Sequence, residues 1–256
     1  MESLFFFPDR VKYDTPERTG LPFEQVYFKS ADGTQLSGWF IPASGVPGPR
    51  SAKGTVVHMH GNAQNMSAQW QYAEWIPSCG YNLFVFDYRG YGRSHGTPDP
   101  KGVFEDGVAA LDYLRARPDI DSDGLFVFGQ SLGGMIAIAA SGASPRGVRA
   151  VLAEAPFYSY TELADDRMPG EGPVIDDSCS ASAFIAKLSP VPLLLIHGTS
   201  DNVVSYSHSL RLLAEAGEPK RLVTIEDGGH IDAMTERYGT VYRDVMIEFF
   251  DAARSR

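Results

Sequence analysis

The sequence predicts an α/β fold, in which a mostly parallel central sheet carries helices on both faces. Short, uninterrupted apolar runs alternate along the chain with segments whose apolar residues recur at helical spacing. Strands buried on both faces of a parallel sheet need such continuous runs, and the crossovers between them have room for a helix. The 256 residues fit one large domain, residues 1–256, whose core needs no metal or disulfide.

Eight apolar segments are predicted strands, at residues 25–29, 36–41, 55–59, 83–86, 125–128, 150–153, 191–196 and 221–225. The first two flank the turn Asp32-Gly33, so they predict an antiparallel hairpin at the start of the domain. Helical spacing follows five of the other strands, around residues 70–76, 104–114, 135–140, 210–214 and 238–249. The first of these helices is predicted to end at Pro77.

The fifth predicted strand leads into a helix through the pattern G-x-S-x-G. Gly129 and Gly133 flank a turn so tight that no Cβ fits on either side of Ser131. Such a turn holds the serine in a strained conformation with its hydroxyl exposed. The first amides of the following helix point at any negative charge that develops nearby. Ser131 is therefore the predicted nucleophile.

An acidic residue and a histidine follow later strands, as a serine nucleophile requires. The hydroxyl needs a base to take its proton, and the base needs a carboxylate to fix its tautomer. Asp201 comes after the seventh strand, in H-G-T-S-D, and His230 comes after the last strand, in E-D-G-G-H. The chain order of Ser131, Asp201 and His230 therefore predicts a catalytic triad at the carboxyl ends of the strands.

Five motifs resemble those of α/β-hydrolases of the serine-esterase, lipase and thioesterase branch, and the resemblance runs from about Phe23 to the C-terminus. They occur in the same order, at residues 60–63, 86–92, 129–134, 197–201 and 229–230. The resemblance implies a cofactor-free serine hydrolase that cleaves small-molecule carboxylic esters or thioesters through an acyl-enzyme. Two alternatives stay open: hydrolysis of amides or peptides, and a ligand-binding protein that keeps the triad without useful turnover.

The resemblance also implies an oxyanion hole made of backbone amides. The amide of Leu132 would supply one donor, and the amide of Asn62 or Ala63 the other. Such donors stabilise a tetrahedral oxyanion by about 3 kcal/mol each in other enzymes. The choice between Asn62 and Ala63 is left open by the sequence.

Other polar residues near the strand ends have competing interpretations. His58, His60 and His197 could meet above the sheet as metal ligands, but no cysteine, paired carboxylate or H-x-x-x-H pattern joins them, so no metal site is predicted. Glu154 could replace Asp201 as the acid of the triad. Its place at a strand end just before Ala155-Pro156 favours a structural role instead.

Four further charged or titratable residues are not predicted to be catalytic. Asp87 and Arg89 are predicted to form a local ion pair that clamps the loop after the fourth strand. His95 and His208 lie in polar sequence contexts and are predicted to be surface residues without a role.

The charge and cysteine content exclude several classes of partner. The formal net charge is −10 and no Lys/Arg cluster occurs, which argues against nucleic acid and anionic membranes. Cys79 and Cys179 fit no paired spacing, so free thiols and a cytoplasmic location are expected. No apolar segment is long enough to cross a bilayer. The sequence does not indicate an oligomeric state.

Two segments bear on the surface and the substrate. The apolar residues 5–7 could touch a membrane peripherally, but an extended arm packed on the domain is favoured. Residues 157–189, after the sixth strand, are short for a lid and carry several acidic residues. A cap this small predicts a preference for short to medium, uncharged acyl groups.

Overall fold

The computed structural model describes residues 4–170 and 175–254. The strands are β1 (Phe7–Pro8), β2 (Glu24–Lys29), β3 (Gln35–Ile41), β4 (Thr55–Met59), β5 (Ala63–Gln64), β6 (Asn82–Asp87), β7 (Leu125–Gln130), β8 (Val148–Glu154), β9 (Leu193–Gly198) and β10 (Lys220–Ile225). Eight of them form one sheet in the order β10-β9-β8-β7-β4-β6-β3-β2. All neighbours are parallel from β10 to β6, whereas β3 is antiparallel to both β6 and β2. The predicted parallel sheet and opening hairpin are therefore confirmed.

The helices are α1 (Met66–Gln69), α2 (Pro100–Ala116), α3 (Leu132–Ala143), α4 (Tyr160–Arg167), α5 (Ala181–Phe184), α6 (Tyr206–Glu215) and α7 (Val241–Arg254). Successive strand residues point in opposite directions, so the buried strands present apolar side chains on both faces of the sheet. The helices cover both of these faces. In β7, Val127 joins the core layer that contains α2 and α3, whereas Phe126 and Phe128 join the layer that contains α7. All three side chains are fully buried, as the uninterrupted apolar run predicts.

The predicted helix over residues 70–76 is wrong. The chain forms only the four-residue helix α1 there, followed by 3₁₀ turns at Trp70–Tyr72 and Ile76–Cys79. Trp70, Ala73 and Ile76 are nevertheless fully buried. Their spacing of three residues also fits 3₁₀ geometry, in which every third side chain lies on one face, so the pattern predicted burial correctly and the helix type incorrectly.

The N-terminal residues form an extended arm on the surface of the domain. Phe7–Pro8 pair in parallel with Ala63–Gln64 in a separate two-stranded ribbon. The Phe5 and Phe6 rings are buried, whereas Phe7 is half-exposed. This arrangement agrees with the arm favoured by the sequence. No helix among the described ranges is long and apolar enough to cross a membrane.

The segment between β8 and β9 contains the two short helices α4 and α5 and a 3₁₀ turn at Asp177–Cys179. Helix α4 begins at the N-cap Ser159, whose side chain accepts the Glu162 amide hydrogen bond. Tyr160 and Leu163 turn inward from this helix and are buried. Residues 171–174 of the predicted cap lie outside the described residues.

Candidate active site

Ser131 stands between β7 and α3 with a backbone conformation that L-residues rarely adopt, at φ 55° and ψ −118°. The backbone around this turn is packed too closely for a side chain at Gly129 or Gly133. A Cβ at Gly129 would overlap the Gly133 carbonyl, and a Cβ at Gly133 would overlap the Met59 carbonyl on β4. The Ser131 amide donates to Glu154 O at 2.8 Å, which ties the turn to the end of β8. The sequence pattern therefore predicted the strained turn correctly, but Ser131 is only 7% exposed, whereas an exposed hydroxyl was expected.

Asp201 and His230 are brought into contact by the loops after β9 and β10. The Nδ1–H of His230 donates to Asp201 Oδ2 at 2.7 Å. Because Nδ1 then carries the proton, Nε2 is left as the acceptor nitrogen of the ring. The Asp201 side chain is completely buried, and that of His230 is 16% exposed. The pair thus has one buried end and one end that solvent can reach.

The two loops are held together by close backbone contact. A Cβ at Gly198 would overlap the Gly228 carbonyl, so only glycine permits this approach. The Ser200 amide donates to Gly228 O at 2.9 Å, and the Asp227 amide donates to Thr199 Oγ1 at 2.9 Å. These contacts set the distance between Asp201 and His230.

His197 is a partner of Asp201 that the sequence did not reveal. Its Nε2–H lies 3.2 Å from Asp201 Oδ2 and 3.0 Å from the Val204 carbonyl, while its Nδ1 accepts from Ser209 Oγ at 2.7 Å. The other oxygen of Asp201 accepts the amides of Val203 and Val204. Burial alone would raise the pKa of Asp201, but the hydrogen bonds from both histidines outweigh it and lower that pKa well below its usual value. Asp201 is a fully hydrogen-bonded carboxylate.

Ser131, the predicted nucleophile, is not hydrogen-bonded to His230. Within residues 4–170 and 175–254, Ser131 Oγ has no hydrogen bond within 3.5 Å to His230 or to any other group. Ser131, Asp201 and His230 follow β7, β9 and β10, at the same edge of the sheet. Hydrogen bonds to a catalytic serine are often long in unliganded enzymes and tighten only with bound substrate.

The loop at residues 60–63 lies beside the Ser131 turn. The Gly61 amide donates to Gln69 Oε1 at 2.7 Å, and Gln69 Nε2 donates to the Ala63 carbonyl. The Asn62 carbonyl accepts from Tyr91 Oη at 2.8 Å. Because a trans peptide holds its N–H and C=O on opposite sides, the Ala63 amide points away from Tyr91. The loop carbonyls are thus occupied by protein donors, and both Asn62 and Ala63 keep their amides as candidates.

A second buried carboxylate, Glu154, connects the serine turn to the histidine loop. Gln130 Nε2 donates to Glu154 Oε2 at 2.7 Å, and the Ala233 amide donates to Glu154 Oε1 at 2.7 Å. Gln130 Oε1 in turn lies 3.2 Å from His58 Nε2. Glu154 contacts neither Asp201 nor His230 through these bonds, which supports the structural role favoured by the sequence. Its bridging function was not predicted.

The three histidines considered as metal ligands each have protein partners instead. His58 bonds to Gln130, His197 bonds to Asp201, and His60 Nδ1–H donates to the Gly61 carbonyl at 2.7 Å. Burial lowers the pKa of His58 to about 4 and that of His60 to about 3, so both rings are neutral. Within the described ranges, no group of three His, Cys, Asp or Glu side chains is placed to hold a metal ion.

The predicted ion pair between Asp87 and Arg89 is wrong. Arg89 binds Asp106 on α2 through its Nη2 at 2.8 Å, and its backbone amide donates to the same carboxylate at 2.7 Å. Asp87 accepts the Met66 amide at 2.7 Å. Arg89 pairs with Asp106 because this buried carboxylate accepts hydrogen bonds from both the side chain and the backbone amide of Arg89.

The surface assignment of His208 is also wrong, whereas His95 is exposed as predicted. The His208 ring is completely buried under α4, where its Nε2 lies 2.9 Å from Asp166 Oδ2. Its Nδ1 accepts the Tyr158 amide at 3.1 Å. Both partners come from the cap segment, so a spacing of more than forty residues hid this contact from the sequence.

A protein family and several known proteins match this chain in sequence. The model of the prolyl oligopeptidase family matches residues 67–254. The uncharacterized protein YfhR of Escherichia coli K12 is 44% identical over 252 residues, which cover 98% of this chain and 87% of the relative. The α/β-hydrolase domain-containing protein WAV2 of Arabidopsis thaliana is 30% identical over 256 residues, covering 93% and 81%.

Solved structures share the fold. The Pyrococcus furiosus esterase Pf2001 superposes with a TM-score of 0.77 at 20% identity and covers 98% of both chains. Est1E of Butyrivibrio proteoclasticus, solved with ferulic acid, has a TM-score of 0.74 at 18% identity and covers 90% of this chain and 100% of its own. At such identities the likeness concerns the fold alone.

Proposed function

Because this chain belongs to the prolyl oligopeptidase family and has the α/β-hydrolase fold, we propose that it is a serine hydrolase that cleaves carboxylic esters or thioesters. Ser131 Oγ attacks the acyl carbon while His230 Nε2 takes the hydroxyl proton. The tetrahedral intermediate collapses, the bond to the leaving group breaks, and His230 returns the proton to the departing alcohol or thiol. Water then attacks the acyl-enzyme with His230 as base, which releases the acid and restores Ser131.

The observation that carries this proposal is the hydrogen-bonded pair of Asp201 and His230 at the same sheet edge as the strained Ser131 turn. Asp201 fixes the His230 tautomer that leaves Nε2 free to accept a proton, and it stabilises the imidazolium that results. The strained turn presents Ser131 Oγ at the start of α3, where the helix dipole favours negative charge.

The oxyanion of the intermediate would be held by backbone amides. The Leu132 amide, next to the nucleophile, is one proposed donor, and the Asn62 or Ala63 amide is the other. In support, the loop at residues 60–63 packs directly on the turn, since a Cβ at Gly133 would also collide with the His60 carbonyl. Preorganised donors of this kind contribute roughly 3 to 4 kcal/mol each to transition-state stabilisation.

Replacing the nucleophile tests the mechanism most directly. Ser131→Ala should lower kcat for an aryl acetate by about 10⁴-fold or more, because no other group can form the acyl-enzyme. Ser141→Ala on α3 is the matched control, since the Ser141 hydroxyl is buried without a hydrogen-bond partner within the part of the chain described here. A fluorophosphonate probe should label the wild type and Ser141→Ala but not Ser131→Ala. A folded Ser131→Ala variant with wild-type turnover would overturn the mechanism.

Peptide bond hydrolysis is the second candidate, and the match to a prolyl oligopeptidase family favours it specifically. The same triad would serve, with His230 giving its proton to a leaving amine. Comparing kcat/KM for an aryl ester and a proline-containing peptide anilide separates the two candidates. The ester proposal requires the higher value for the ester, with chemical reactivity corrected by the uncatalysed rates.

The cap supports a preference for short to medium, uncharged acyl groups. Holding a long chain requires an apolar channel, because each methylene contributes about 0.8 kcal/mol only when buried. Here the two cap cations face other groups: Arg167 donates to Leu4 O, and Lys187 lies over the Phe184 ring. Both cations are thus held by protein groups, so the acidic residues of the cap would repel an anionic acyl tail.

Esters graded by acyl length test this preference. We expect kcat/KM for aryl esters to peak at short or medium acyl chains and to decline towards palmitate. Each ester is measured below its critical micelle concentration, so micelle formation does not distort the profile. A profile that rises steadily to long chains would contradict the small pocket while leaving the role of Ser131 intact.

A further inference from the structure

We infer that the N-terminal arm, residues 4–9, is a positioning element of the active site that holds the oxyanion loop in its catalytic conformation. This inference rests on the proposed function, because the loop at residues 60–63 is the proposed source of one oxyanion donor. The arm lies 55 residues away from that loop in the chain, and no motif of the sequence links them.

The arm is attached directly to the loop by backbone hydrogen bonds. The Phe7 amide donates to the Asn62 carbonyl at 2.8 Å, and the Asp9 amide donates to Gln64 O at 3.2 Å. The register places Phe7 opposite Ala63. The Asn62 carbonyl and the Ala63 amide belong to one rigid peptide plane, so a bond that fixes the carbonyl also fixes the direction of the amide.

The backbone needs this support because it is strained directly after the loop. Gln64, which ends the ribbon strand β5, has a φ of 62°, a value that a non-glycine residue adopts only at an energetic cost. Strain persists only where the surroundings determine the backbone fully. The arm supplies part of that determination, together with Tyr91 Oη and the Gln69 side chain.

The arm is itself anchored at both ends. Asn65 Nδ2 donates to Asp9 Oδ1 at 2.6 Å, just beyond the loop. At the other end, the Phe5 and Phe6 rings pack on Tyr160 of α4 with centroid distances of 5.1 and 6.1 Å. Arg167, in the last turn of α4, donates to Leu4 O at 2.6 Å. The arm therefore spans from the cap to the oxyanion loop.

The Phe7 side chain offers a clean way to test the bond made by its backbone. The side chain is 50% exposed, so changing it removes little packing. Phe7→Pro deletes the N–H that binds Asn62 O, whereas Phe7→Ala keeps it. The two variants therefore differ in this N–H and in the fixed φ of proline, whereas both lack the Phe7 ring.

Phe7→Pro should lower kcat for an aryl ester about 10- to 100-fold with KM within about twofold of wild type, because an oxyanion donor acts mainly in the transition state. Phe7→Ala should stay within about twofold of wild type in both constants. The affinity for a boronic acid, which forms a tetrahedral adduct on Ser131, should fall in Phe7→Pro by the same factor as kcat. Rates are expressed per active site, titrated with fluorophosphonate, so a loss of folded protein does not imitate the effect.

Equal kcat in folded Phe7→Pro and Phe7→Ala, with Ser131→Ala inactive, would overturn this inference and leave the proposed function standing. Wild-type turnover in Ser131→Ala would instead overturn the proposed function and this inference with it. If Phe7→Pro does not fold, Asp9→Ala, which removes the carboxylate bound by Asn65, takes its place. It should lower kcat and boronate affinity together, and unchanged values would refute the role of the arm.

Discussion

Two buried carboxylates stand at the ends of neighbouring strands, and their surroundings shift their pKa values in opposite directions. Asp201, after β9, receives hydrogen bonds from two imidazoles and two amides, and its pKa is lowered. Glu154, at the end of β8, is raised by burial to a pKa of about 7, against the hydrogen bonds from Gln130 and Ala233. The surroundings of Asp201 therefore favour its ionised form, whereas Glu154 can be protonated at neutral pH.

The difference separates a carboxylate suited to the proposed chemistry from one suited to a structural role. A carboxylate that must stabilise an imidazolium has to stay ionised, and Asp201 is surrounded by donors that ensure it. Glu154 receives hydrogen bonds from the Gln130 side chain and the Ala233 amide, and it joins the turn that carries Ser131 to the loop that carries His230. This contrast supports the proposal that Asp201 is the acid of the triad and that Glu154 has a structural role.

Asparagine at position 201 should break the contrast with the largest effect. Asp201→Asn keeps the shape of the side chain but places an NH₂ group where Oδ2 accepted the His230 Nδ1–H. The ring would then take the other tautomer, in which Nε2 already carries a proton and cannot accept one from Ser131. We expect kcat for an aryl ester to fall by about 10⁴-fold, measured at neutral pH.

Asp227→Asn is the matched control for that experiment, because Asp227 is exposed in the same loop as His230. Its φ of 56° is one that asparagine tolerates well. We expect activity within about twofold of wild type. A tenfold or smaller loss in Asp201→Asn would mean that another carboxylate orients His230.

The fold was largely predictable because it depends on local patterns. Continuous apolar runs located all eight strands of the main sheet, and the turn Asp32-Gly33 located the hairpin. The ribbon strands β1 and β5 were missed because each has only two residues, too few to show the pattern of a strand. The helix over residues 70–76 was misjudged because a spacing of three residues suits two kinds of helix.

The site was predictable only where motifs and strand ends carry the information. The pattern around Ser131 and the positions of Asp201 and His230 after their strands were sufficient to bring those residues to one edge. The contacts that support them join residues far apart in the chain, such as Glu154 and Ala233 at a separation of 79 residues. No spacing rule covers such pairs, because only the packed sheet brings them together.

The polarity of the Glu154 network leads to the last and smallest effect. The Ala233 amide is a fixed donor, so it requires an oxygen at the Oε1 position. An uncharged side chain would put its own donor towards Gln130, which must then flip its amide and present its NH₂ group to His58. His58 can accept by changing tautomer, since its lowered pKa keeps the ring neutral. The network can therefore satisfy both the ionised and the uncharged form.

Glu154→Gln should consequently fold and retain kcat within about tenfold of wild type, in contrast to Asp201→Asn. Its clearest consequence concerns stability, because folding raises the pKa of Glu154 from 4.5 to about 7. At this site the folded state then binds more protons than the unfolded state between these pH values, so the contribution of Glu154 to stability falls as the pH rises, by roughly 3 kcal/mol. Glu154→Gln lacks this titration, whereas Asp201 titrates below the window in both proteins. Urea unfolding of the two proteins at pH 5 and pH 8 measures the difference: the free energy of unfolding of Glu154→Gln relative to wild type should increase between the two pH values. A constant difference would show that Glu154 stays ionised in the fold, and the two carboxylates would then differ in their partners but not in their charge.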